Sequence, residues 1–483
     1  MTTATNITWD HVLQAFQHHW GYDNFRKPQD DIIRALLARR DMVVVLPTGG
    51  GKSVCFQLPA LLQSGLTLVV SPLLALMENQ VQELRDKQLP AATLHSQLSP
   101  YQRRRILQTL DQLRLLYLSP ETLLSPPVWE RLCDPSLPLN GLILDEAHCL
   151  VQWGETFRPA YHRLGSVRQA LLSLRPPGTT LPIAAFTATA DPQAQALLRD
   201  VLQLQNPQVV RLNPHRPNLH LTVKAVISQG QRRRAMGQFL RQHPHQAGLI
   251  YVRTRQDSEI LAQDLASQGY RTAPYHAGLT GADRRRIETA WMVDDLQFVV
   301  CTSAFGMGVN KPNTRWVLHY QAPCTLTEYV QEVGRAGRDG QMARALTLVS
   351  ERTGWLDSSD RQRAKFFESQ AQTLQQKAQR LIHQIPATGD VREVSQAFPH
   401  GAISLSWLHS RGQLIWLDPF RYQLRSSPTP PSLDSPNRAS QQMHQFLHSR
   451  QCRWQALLVA FGFRTEAQAL YRCGHCDNCS PPR

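Results

Sequence analysis

A phosphate-binding loop is the first feature of this sequence that could perform chemistry. Residues 46–53 read LPTGGGKS and follow the apolar run 42–45. In such loops glycines let backbone N–H groups turn towards phosphate oxygens, a lysine neutralises the β- and γ-phosphates, and a serine hydroxyl reaches Mg²⁺. Leu46 replaces the first glycine of the usual G-x-x-x-x-G-K-S pattern, so a plain glycine-rich turn is the alternative. The residues predicted to bind ATP are Thr48, Gly49, Gly50, Gly51, Lys52 and Ser53.

A pair of acidic residues supplies the second half of this chemistry. Asp145 and Glu146 follow the apolar run 141–144. Hydrolysis of a phosphoanhydride requires one carboxylate on the metal and another near the attacking water, both at the end of a buried strand. We therefore predict that Lys52, Asp145 and Glu146 are catalytic, and that Asp145 and Ser53 share the Mg²⁺. Two matching motifs favour ATP hydrolysis over a glycine-rich turn.

Four of the nine cysteines lie close together near the end of the chain. Cys473, Cys476 and Cys479 are each separated by two residues, and Cys452 precedes them. Four thiolates suit tetrahedral Zn²⁺, and a site closed by four protein ligands is structural. Replacement of one sulfur by His475, a redox role and an iron–sulfur cluster are the alternatives. The cysteines predicted to be reduced and buried are Cys55, Cys133, Cys149, Cys301 and Cys324.

Length and charge limit the possible classes of protein. A chain of 483 residues is long enough for about three domains. Lys and Arg number 52 against 37 Asp and Glu, and the formal charge of +15 favours a polyanionic partner, although an acidic membrane surface has the same sign. No apolar run reaches the ~20 residues of a membrane-spanning helix, and residues 1–10 do not resemble a secretory signal. We expect a cytoplasmic protein, nucleoid-associated in a bacterium, with no membrane partner.

The segments that must position these residues alternate between short apolar runs and helical patterns. Such alternation predicts an α/β fold with two tandem parallel-sheet domains, residues 1–213 and 214–350, whose strand ends carry the site. Two prolines near residues 213–218 mark the expected join. The runs predicted as strands are 42–46, 66–71, 115–118, 142–145, 183–186, 248–252, 272–275, 298–302, 316–320 and 344–349.

Beyond residue 350 the strand pattern ends. Residues 356–385 are polar and helical in character, and residues 404–424 predict a short helix followed by a hairpin. Residues 426–440 are rich in proline and serine, which predicts a flexible linker. We therefore expect a helical segment with an inserted helix and hairpin at 351–440, and a small helical zinc-binding subdomain at 441–483.

Several further segments resemble the motifs of one protein family. Phe25, Arg26 and Gln29 precede the phosphate loop, and HCLVQWGETFRP follows the acidic pair from residue 148. TSAFGMGVNKP begins at residue 302 and QEVGRAGRDG at residue 331. Together with the cysteine module these segments are similar to the RecQ family of superfamily 2 DNA helicases, over about residues 9–350 and 443–480. The resemblance implies that both sheet domains are RecA-like.

The resemblance also implies contacts to the nucleotide base and to DNA. Tyr22, Arg26 and Gln29 are expected to contact adenine, and a glutamine amide can both donate to and accept from the base edge. Trp153, Phe157 and Arg158 lie in what resembles the aromatic-rich loop of the family. A DNA base could stack on either aromatic ring while the arginine holds a phosphate. Packing of the two aromatic rings in the protein core is the alternative.

Two arginines near residue 335 resemble arginine fingers. Arg335 and Arg338 are expected to stabilise the γ-phosphoryl group when a cleft closes, and a solvated helix face is the alternative. Glu155 stands where the family usually has a histidine. A carboxylate cannot donate a hydrogen bond at neutral pH and would repel phosphate, so altered coupling between DNA and ATP is expected.

The resemblance implies an ATP-dependent 3′–5′ DNA helicase that acts in recombination and repair on single-stranded and on tailed or branched double-stranded DNA. A DNA-stimulated translocase or annealing factor with little unwinding, and a superfamily 2 RNA helicase, are the alternatives. We expect a short form without the winged-helix and further helical domains that follow the zinc module in many relatives. Residues 404–424 would then be a substitute wedge or a decoration. Three arginine triplets are interpreted as solvated helix faces, with DNA contacts as the alternative: 103–105, 232–234 and 284–286.

Overall fold

The computed structural model describes residues 7–47, 49–153, 158–305, 311–352, 355–425, 436–470 and 472–480. Internal contacts divide the chain into two compact units. Unit 1 comprises Met1–Leu212 and Thr373–Leu433, and unit 2 comprises Asn213–Gln372 and Asp434–Arg483. None of the helices in the described ranges combines the length and apolarity that crossing a membrane requires.

Unit 1 is built on a seven-stranded parallel sheet with the order β3-β4-β2-β5-β6-β1-β7. Its central strands are short β-branched and leucine-rich runs that are buried on both faces, as a parallel sheet covered by helices requires. The strands are β1 Met42–Val45, β2 Leu66–Val70, β3 Ala91–Leu94, β4 Leu115–Leu118, β5 Leu139–Leu144, β6 Ile183–Thr187 and β7 Gln208–Arg211.

Several helices of this sheet domain begin at a residue whose side chain caps the helix. The Thr8 hydroxyl accepts a hydrogen bond from the His11 N–H, Ser99 and Gln102 form a capping box, and Asp191 caps α10. The helices are α1 Trp9–Trp20, α2 Gln29–Leu37, α3 Lys52–Leu62, α4 Leu74–Asp86, α5 Pro100–Gln108, α6 Pro120–Leu123, α7 Pro126–Cys133, α8 His148–Trp153, α9 Gly165–Leu172 and α10 Pro192–Val201. Two 3₁₀ helices, Leu110–Gln112 and Pro159–Arg163, join them.

Unit 2 is built on a six-stranded parallel sheet with the order β10-β11-β9-β12-β13-β8. A side chain at Gly248 would bring Cβ to 2.1 Å from the Trp316 ring, so glycine is needed there. The strands are β8 Leu219–Val226, β9 Gly248–Tyr251, β10 Thr272–Tyr275, β11 Phe298–Cys301, β12 Trp316–His319 and β13 Ala343–Ser350. Four helices between Gln229 and Val333 each begin after a Ser or Thr cap: α11 Gln229–Gln242, α12 Arg255–Ser267, α13 Gly281–Met292 and α14 Leu326–Val333.

The remaining elements form a long helix, a small mixed domain and the cysteine region. The small domain has a three-stranded antiparallel sheet, β14-β16-β15, and a core of its own that includes Leu405 and Trp416. The elements are α15 Ser359–Leu381, β14 Thr388–Asp390, α16 Val391–Ala397, α17 Gly401–Ser410, β15 Leu414–Trp416, β16 Arg421–Leu424, α18 Pro436–His448, α19 Arg453–Ala460 and α20 Arg464–Ala469.

These elements confirm the predicted α/β class with two parallel sheets, the helix at 356–385 and the helix with hairpin at 404–424. Strands β3, β7, β8 and β14 were not predicted. The linker prediction was wrong for residues 436–440, which begin α18, and residues 426–435 lie outside the described ranges. The division into four domains stays a prediction.

Two predictions about single side chains need correction. Arg232 is neither solvated nor available to DNA, because it is fully buried and lies 3.2 Å from both Asp357 and Asp360. Cys133 and Cys324 are half-buried rather than buried, and the other three predicted core thiols are buried.

Candidate nucleotide and zinc sites

The phosphate loop joins β1 to α3 and depends on two left-handed glycines. Gly49 has φ 82° and Gly51 has φ 70°, and Gly51 is the N-cap residue of α3. A Cβ at Gly51 would lie 2.4 Å from Gln29 Nε2, so both the backbone angle and the space require glycine. The loop therefore presents the amino end of α3, where backbone N–H groups favour an anion. Thr48 lies outside the described residues.

Gln29 lies against this loop and is almost fully buried. Its side-chain Nε2 donates to the Gly50 carbonyl at 3.2 Å, and its Oε1 accepts from the Arg26 N–H at 2.9 Å. Tyr22 and Arg26 are exposed, and the Tyr22 ring lies 5.8 Å from that of Phe16. The three residues predicted to contact adenine thus lie in one segment, residues 22–29, which contacts the phosphate loop through Gln29.

Lys52 and Glu146 lie together although they come from different motifs. Lys52 Nζ lies 3.9 Å from Glu146 Oε1 and donates to the Leu46 carbonyl at 3.5 Å. Both side chains are largely buried, with 11% and 16% of their surface exposed. The structure therefore brings the predicted lysine and acidic pair to one edge of the first sheet, next to Ser53, which follows Lys52 in α3.

Asp145 is held firmly at the end of β5. Its N–H donates to the Val70 carbonyl at 2.9 Å, and Gln80 Nε2 donates to its Oδ2 at 3.1 Å. Burial and the neighbouring charge of Glu146 raise the pKa of Asp145 to about 6, although Lys52 and the Gln80 amide oppose the shift. Two adjacent carboxylates beside a serine hydroxyl form a set of hard oxygen donors that suits a divalent cation.

Glu146 is also linked to the strand on the other side of β5. His148 Nδ1 lies 3.2 Å from Glu146 Oε2 and 3.2 Å from Thr187 Oγ1. Because the Thr187 hydroxyl donates to the Thr189 carbonyl, its oxygen is free to accept from the imidazole N–H. Glu146 has φ 50°, an uncommon backbone angle that turns its side chain towards this group.

Gln80 and His148 belong to the site although no sequence pattern predicts a role for either side chain. Gln80 stands among the buried apolar positions of α4, Met77, Val81 and Leu84, and a polar side chain at such a position was the available signal. His148 lies two residues after Glu146, and the sequence alone does not separate its role from that of the acidic pair.

The aromatic-rich loop is described only at its ends. Phe157 and Glu155 lie outside the described residues, as does the side chain of Trp153, whose backbone ends α8. Arg158 is mostly buried, and its Nη1 lies 3.9 Å from Glu121 Oε2. The predicted DNA contacts of this loop therefore stay predictions.

Arg335 and Arg338 follow α14 in unit 2. Arg335 is only 9% exposed and Arg338 is half-buried, so the alternative of a solvated helix face is wrong for Arg335. The last turn of α14, just before these arginines, is anchored by Glu332. Glu332 accepts a hydrogen bond from Arg253 Nη2 at 2.8 Å and lies 3.0 Å from His319 Nε2. Burial alone would raise the pKa of Glu332, but Arg253 and His319 lower it to about 2.

The four C-terminal cysteines converge as predicted. The sulfur atoms of Cys452, Cys473, Cys476 and Cys479 all lie within 4.8 Å of one another. A tetrahedral Zn²⁺ with Zn–S bonds of about 2.3 Å places its sulfurs somewhat closer than this limit, so the residues fit the metal. His475 is not part of the group of atoms within this distance, and its Nδ1 lies 2.6 Å from the Cys473 carbonyl oxygen.

The cysteine group is fixed to the edge of the second sheet. Arg453 donates to Asp477 Oδ1 at 3.0 Å and to Oδ2 at 3.1 Å, and Asp477 Oδ2 also accepts from the Val223 N–H at 3.0 Å. Cys476 pairs with Leu221 of β8 in a parallel bridge. The hydrogen bond between the two thiols lowers the pKa of Cys476 and raises that of Cys473, so these two groups titrate as a pair.

Comparison with known proteins agrees with this geometry. A DEAD/DEAH box helicase family matches residues 26–197, a helicase conserved C-terminal domain matches residues 231–340, and a RecQ zinc-binding family matches residues 421–480. The DNA-bound structure of the DUF1998 helicase MrfA is similar with a TM-score of 0.60 at 17% identity, over 88% of this chain and 64% of that chain. The fold is therefore that of a two-domain helicase.

Sequence relatives define the family more narrowly. The chain is 54% identical over 469 residues to the ATP-dependent DNA helicase RecQ of Synechocystis sp., which is 96% of this chain and 97% of that protein. It is 39% identical over 340 residues to the probable ATP-dependent DNA helicase RecS of Bacillus subtilis, which is 70% of this chain and 66% of that protein. The chain belongs to the RecQ family of helicases.

Proposed function

We propose that this protein is an ATP-dependent 3′–5′ DNA helicase that acts on single-stranded and on tailed or branched double-stranded DNA in recombination and repair. The observation that carries the proposal is the meeting of Lys52, Asp145 and Glu146 at one sheet edge in a chain of the RecQ family. Such an enzyme works in the cytoplasm, on the nucleoid of a bacterial cell.

The hydrolytic roles follow from the chemistry of each group. Lys52 leaves Glu146 and neutralises the β- and γ-phosphate oxygens of ATP. Asp145 and the Ser53 hydroxyl hold Mg²⁺, which supplies charge stabilisation to the phosphates when bound. Glu146, oriented by His148 at 3.2 Å, positions and deprotonates the attacking water.

The nucleotide is held by groups on both sides of the loop. The backbone of Thr48 and of the three glycines, Gly49, Gly50 and Gly51, surrounds the phosphates. The Tyr22 ring stacks on adenine while Arg26 and the Gln29 segment contact its edge. Support comes from the hydrogen bond between Gln29 and Gly50, which ties the base-contacting segment to the loop.

Charge that develops on the γ-phosphoryl group is stabilised by Arg335 and Arg338 as arginine fingers. DNA bases stack on Trp153 and Phe157, and Arg158 binds a backbone phosphate. Cys452, Cys473, Cys476 and Cys479 hold a structural Zn²⁺ that stabilises the fold and takes no part in hydrolysis.

The test compares ATP-dependent unwinding of two duplexes of equal length, one with a 3′ single-stranded tail and one with a 5′ tail. Lys52→Ala serves as the inactive control. We expect the wild type to separate only the 3′-tailed duplex. Unwinding of the 5′-tailed duplex alone would contradict the direction, and hydrolysis stimulated by DNA without unwinding of either duplex would favour a translocase or annealing factor.

A second comparison addresses the RNA alternative. ATP turnover is measured with single-stranded DNA and RNA of the same length and sequence. Stronger stimulation by DNA is expected from the family, and stronger stimulation by RNA would replace the proposal with an RNA helicase.

A further inference from the structure

The small mixed domain at residues 388–424, called the inserted module below, has an arrangement known from nucleic-acid-binding proteins. Two helices, α16 and α17, are joined by a tight turn and followed by the hairpin β15–β16, whose second strand pairs with β14. Gly401 allows this turn, because a Cβ there would lie 2.5 Å from the Val394 carbonyl oxygen. In helix-turn-helix domains the second helix presents polar side chains to the major groove of DNA.

The second helix of the inserted module is not available for that purpose. α17 has the sequence GAISLSWLHS, which contains no lysine, arginine or acidic residue, and seven of its ten residues are buried. It packs on the 3₁₀ helix Pro159–Arg163 of the first sheet domain, where His162 Nδ1 and His409 Nδ1 lie 3.1 Å apart. The face that would read DNA is therefore used for contact within unit 1.

The hairpin is held in the same way. Arg163 Nη1 donates to the Pro419 carbonyl at 3.2 Å, and the Phe420 ring lies 5.4 Å from that of Trp129 at 75°. Arg392 Cζ lies over the Phe420 ring, 4.8 Å from its centroid. A hairpin fixed to the sheet domain through its turn does not provide a free tip to separate base pairs, which argues against a substitute wedge.

In the hydrogen bond between His162 and His409, the donor and the acceptor can be assigned. Burial lowers the pKa of both rings, so both are neutral, and one Nδ1 must donate to the other. His162 Nε2 is buried and has no hydrogen-bond partner within the described ranges. A buried ring nitrogen without a partner costs less as an acceptor than as an N–H donor, so His162 carries its proton on Nδ1 and His409 accepts.

The inserted module thereby holds Pro159–Arg163, the 3₁₀ helix that directly follows Arg158. Pro159–Arg163 directly follows Arg158, and the chain on the other side of residues 154–157 leads back through α8 to His148, which contacts Glu146. Tyr161 of the same 3₁₀ helix and Leu164, which directly follows it, are buried in the core of the first sheet domain.

We propose that the inserted module positions Arg158 and thereby controls how strongly DNA stimulates ATP hydrolysis. His409 is the positioning residue, and it acts through His162 and Arg158. The inference rests on the proposed function, because it concerns how DNA bound at Arg158 stimulates hydrolysis at Glu146. The module holds Arg158 in place by anchoring the residues that follow it, and it does not itself read DNA.

The experiment measures ATP turnover against single-stranded DNA concentration for wild type, His409→Ala and His409→Asn. His409→Ala should raise the DNA concentration for half-maximal stimulation about five- to tenfold and leave turnover without DNA unchanged. His409→Asn should restore the wild-type value, because an asparagine Oδ1 takes the place of the accepting Nδ1. Gln423→Ala, on the exposed face of the same hairpin, is the matched control and should behave as wild type.

Three results would overturn the inference. They are an unchanged DNA dependence in folded His409→Ala, an equal fall in turnover with and without DNA, and failure of His409→Asn to restore the response. Phe420→Leu replaces His409→Ala if that variant does not fold, and the same outcomes apply. Wild-type protein whose turnover ignores DNA would instead contradict the proposed function, so the two failures are distinguishable.

Discussion

Lys52 Nζ and Glu146 Oε1 lie 3.9 Å apart, so the lysine of the phosphate loop and the carboxylate of the acidic pair form an ion pair. A γ-phosphate would compete with Glu146 for this lysine. Loss of the lysine contact would leave the carboxylate held by His148 and able to accept a proton from water. Binding of ATP would thus also release Glu146 from Lys52, so that Glu146 could act as the general base.

Replacement of Glu146 by glutamine tests this arrangement. Glu146→Gln should retain ATP binding and lower turnover by about 10²- to 10⁴-fold, because the amide cannot accept the proton. Nucleotide binding is measured by titration and turnover by phosphate release. Glu130→Gln, on the exposed surface of α7, is the control. Turnover near wild type in Glu146→Gln would remove Glu146 from the role of base.

Replacement of Gly51 by alanine tests the contact with Gln29. Gly51→Ala should weaken nucleotide binding at least about tenfold, because the new methyl would lie 2.4 Å from Gln29 Nε2 at a left-handed backbone angle. Gly178→Ala has a similar φ of 87° with nothing within 4 Å, so it separates backbone strain from the clash. Gly51→Ala should weaken nucleotide binding less in a Gln29→Ala background than in the wild type, because the clash with Nε2 is then absent. An equal loss in both backgrounds would assign the whole effect to the backbone.

Replacement of one zinc ligand tests the cysteine group. Cys476→Ser should lower bound zinc from about one equivalent per chain towards zero and lower the thermal midpoint, since metal binding and folding are coupled. Zinc content is measured by atomic emission and stability by calorimetry. Cys133→Ser, outside the group and half-buried, should keep its zinc. Full zinc content in Cys476→Ser would exclude Cys476 as a ligand.

The histidine pair predicts a loss of stability in mild acid. Burial lowers the pKa of His162 well below its usual value and, together with Arg425, that of His409 to about 4. Between about pH 6.5 and 4 the unfolded chain binds protons that the folded protein excludes, so this contribution is complete above pH 6.5 and is lost as pH falls. Each ring adds a slope of about 1.4 kcal/mol per pH unit.

His409→Asn removes one of these two titrations. Urea unfolding at pH 7 and pH 5 should show a smaller loss of stability in this variant than in wild type. His400→Asn, an exposed histidine of the inserted module, should keep the wild-type difference. Equal losses in all three proteins would mean that His409 is not held neutral by burial.

The sequence was sufficient for the parts of the fold that repeat a simple pattern. Buried runs such as Met42–Val45 and spaced cysteines are local signals, so the parallel strands and the convergence of the four cysteines could be predicted directly. β7 could not, because only two of its four residues are half-buried and it joins the sheet by pairing with β1. Gln80 and His409 depend on partners distant in sequence, and no local pattern predicts such contacts.

Arg232 shows that the environment of a charged residue is also difficult to predict from the sequence. A run of three arginines on a helix predicts a solvated face, yet one of them also donates to the Tyr320 and Leu348 carbonyls inside the second unit. The helical period directs only one residue of such a triplet towards the core. The sequence does not show whether an acidic residue lies close enough in the core to pair with it.

The bridge between Cys476 and Leu221 has a consequence for solubility. β8 is an outer strand of the six-stranded sheet, and the cysteine loop occupies part of its open side. An uncovered strand edge presents backbone groups that can recruit a strand from another chain. Metal depletion that loosens this loop would therefore lead first to self-association of otherwise folded molecules, and light scattering would rise before the helical signal falls.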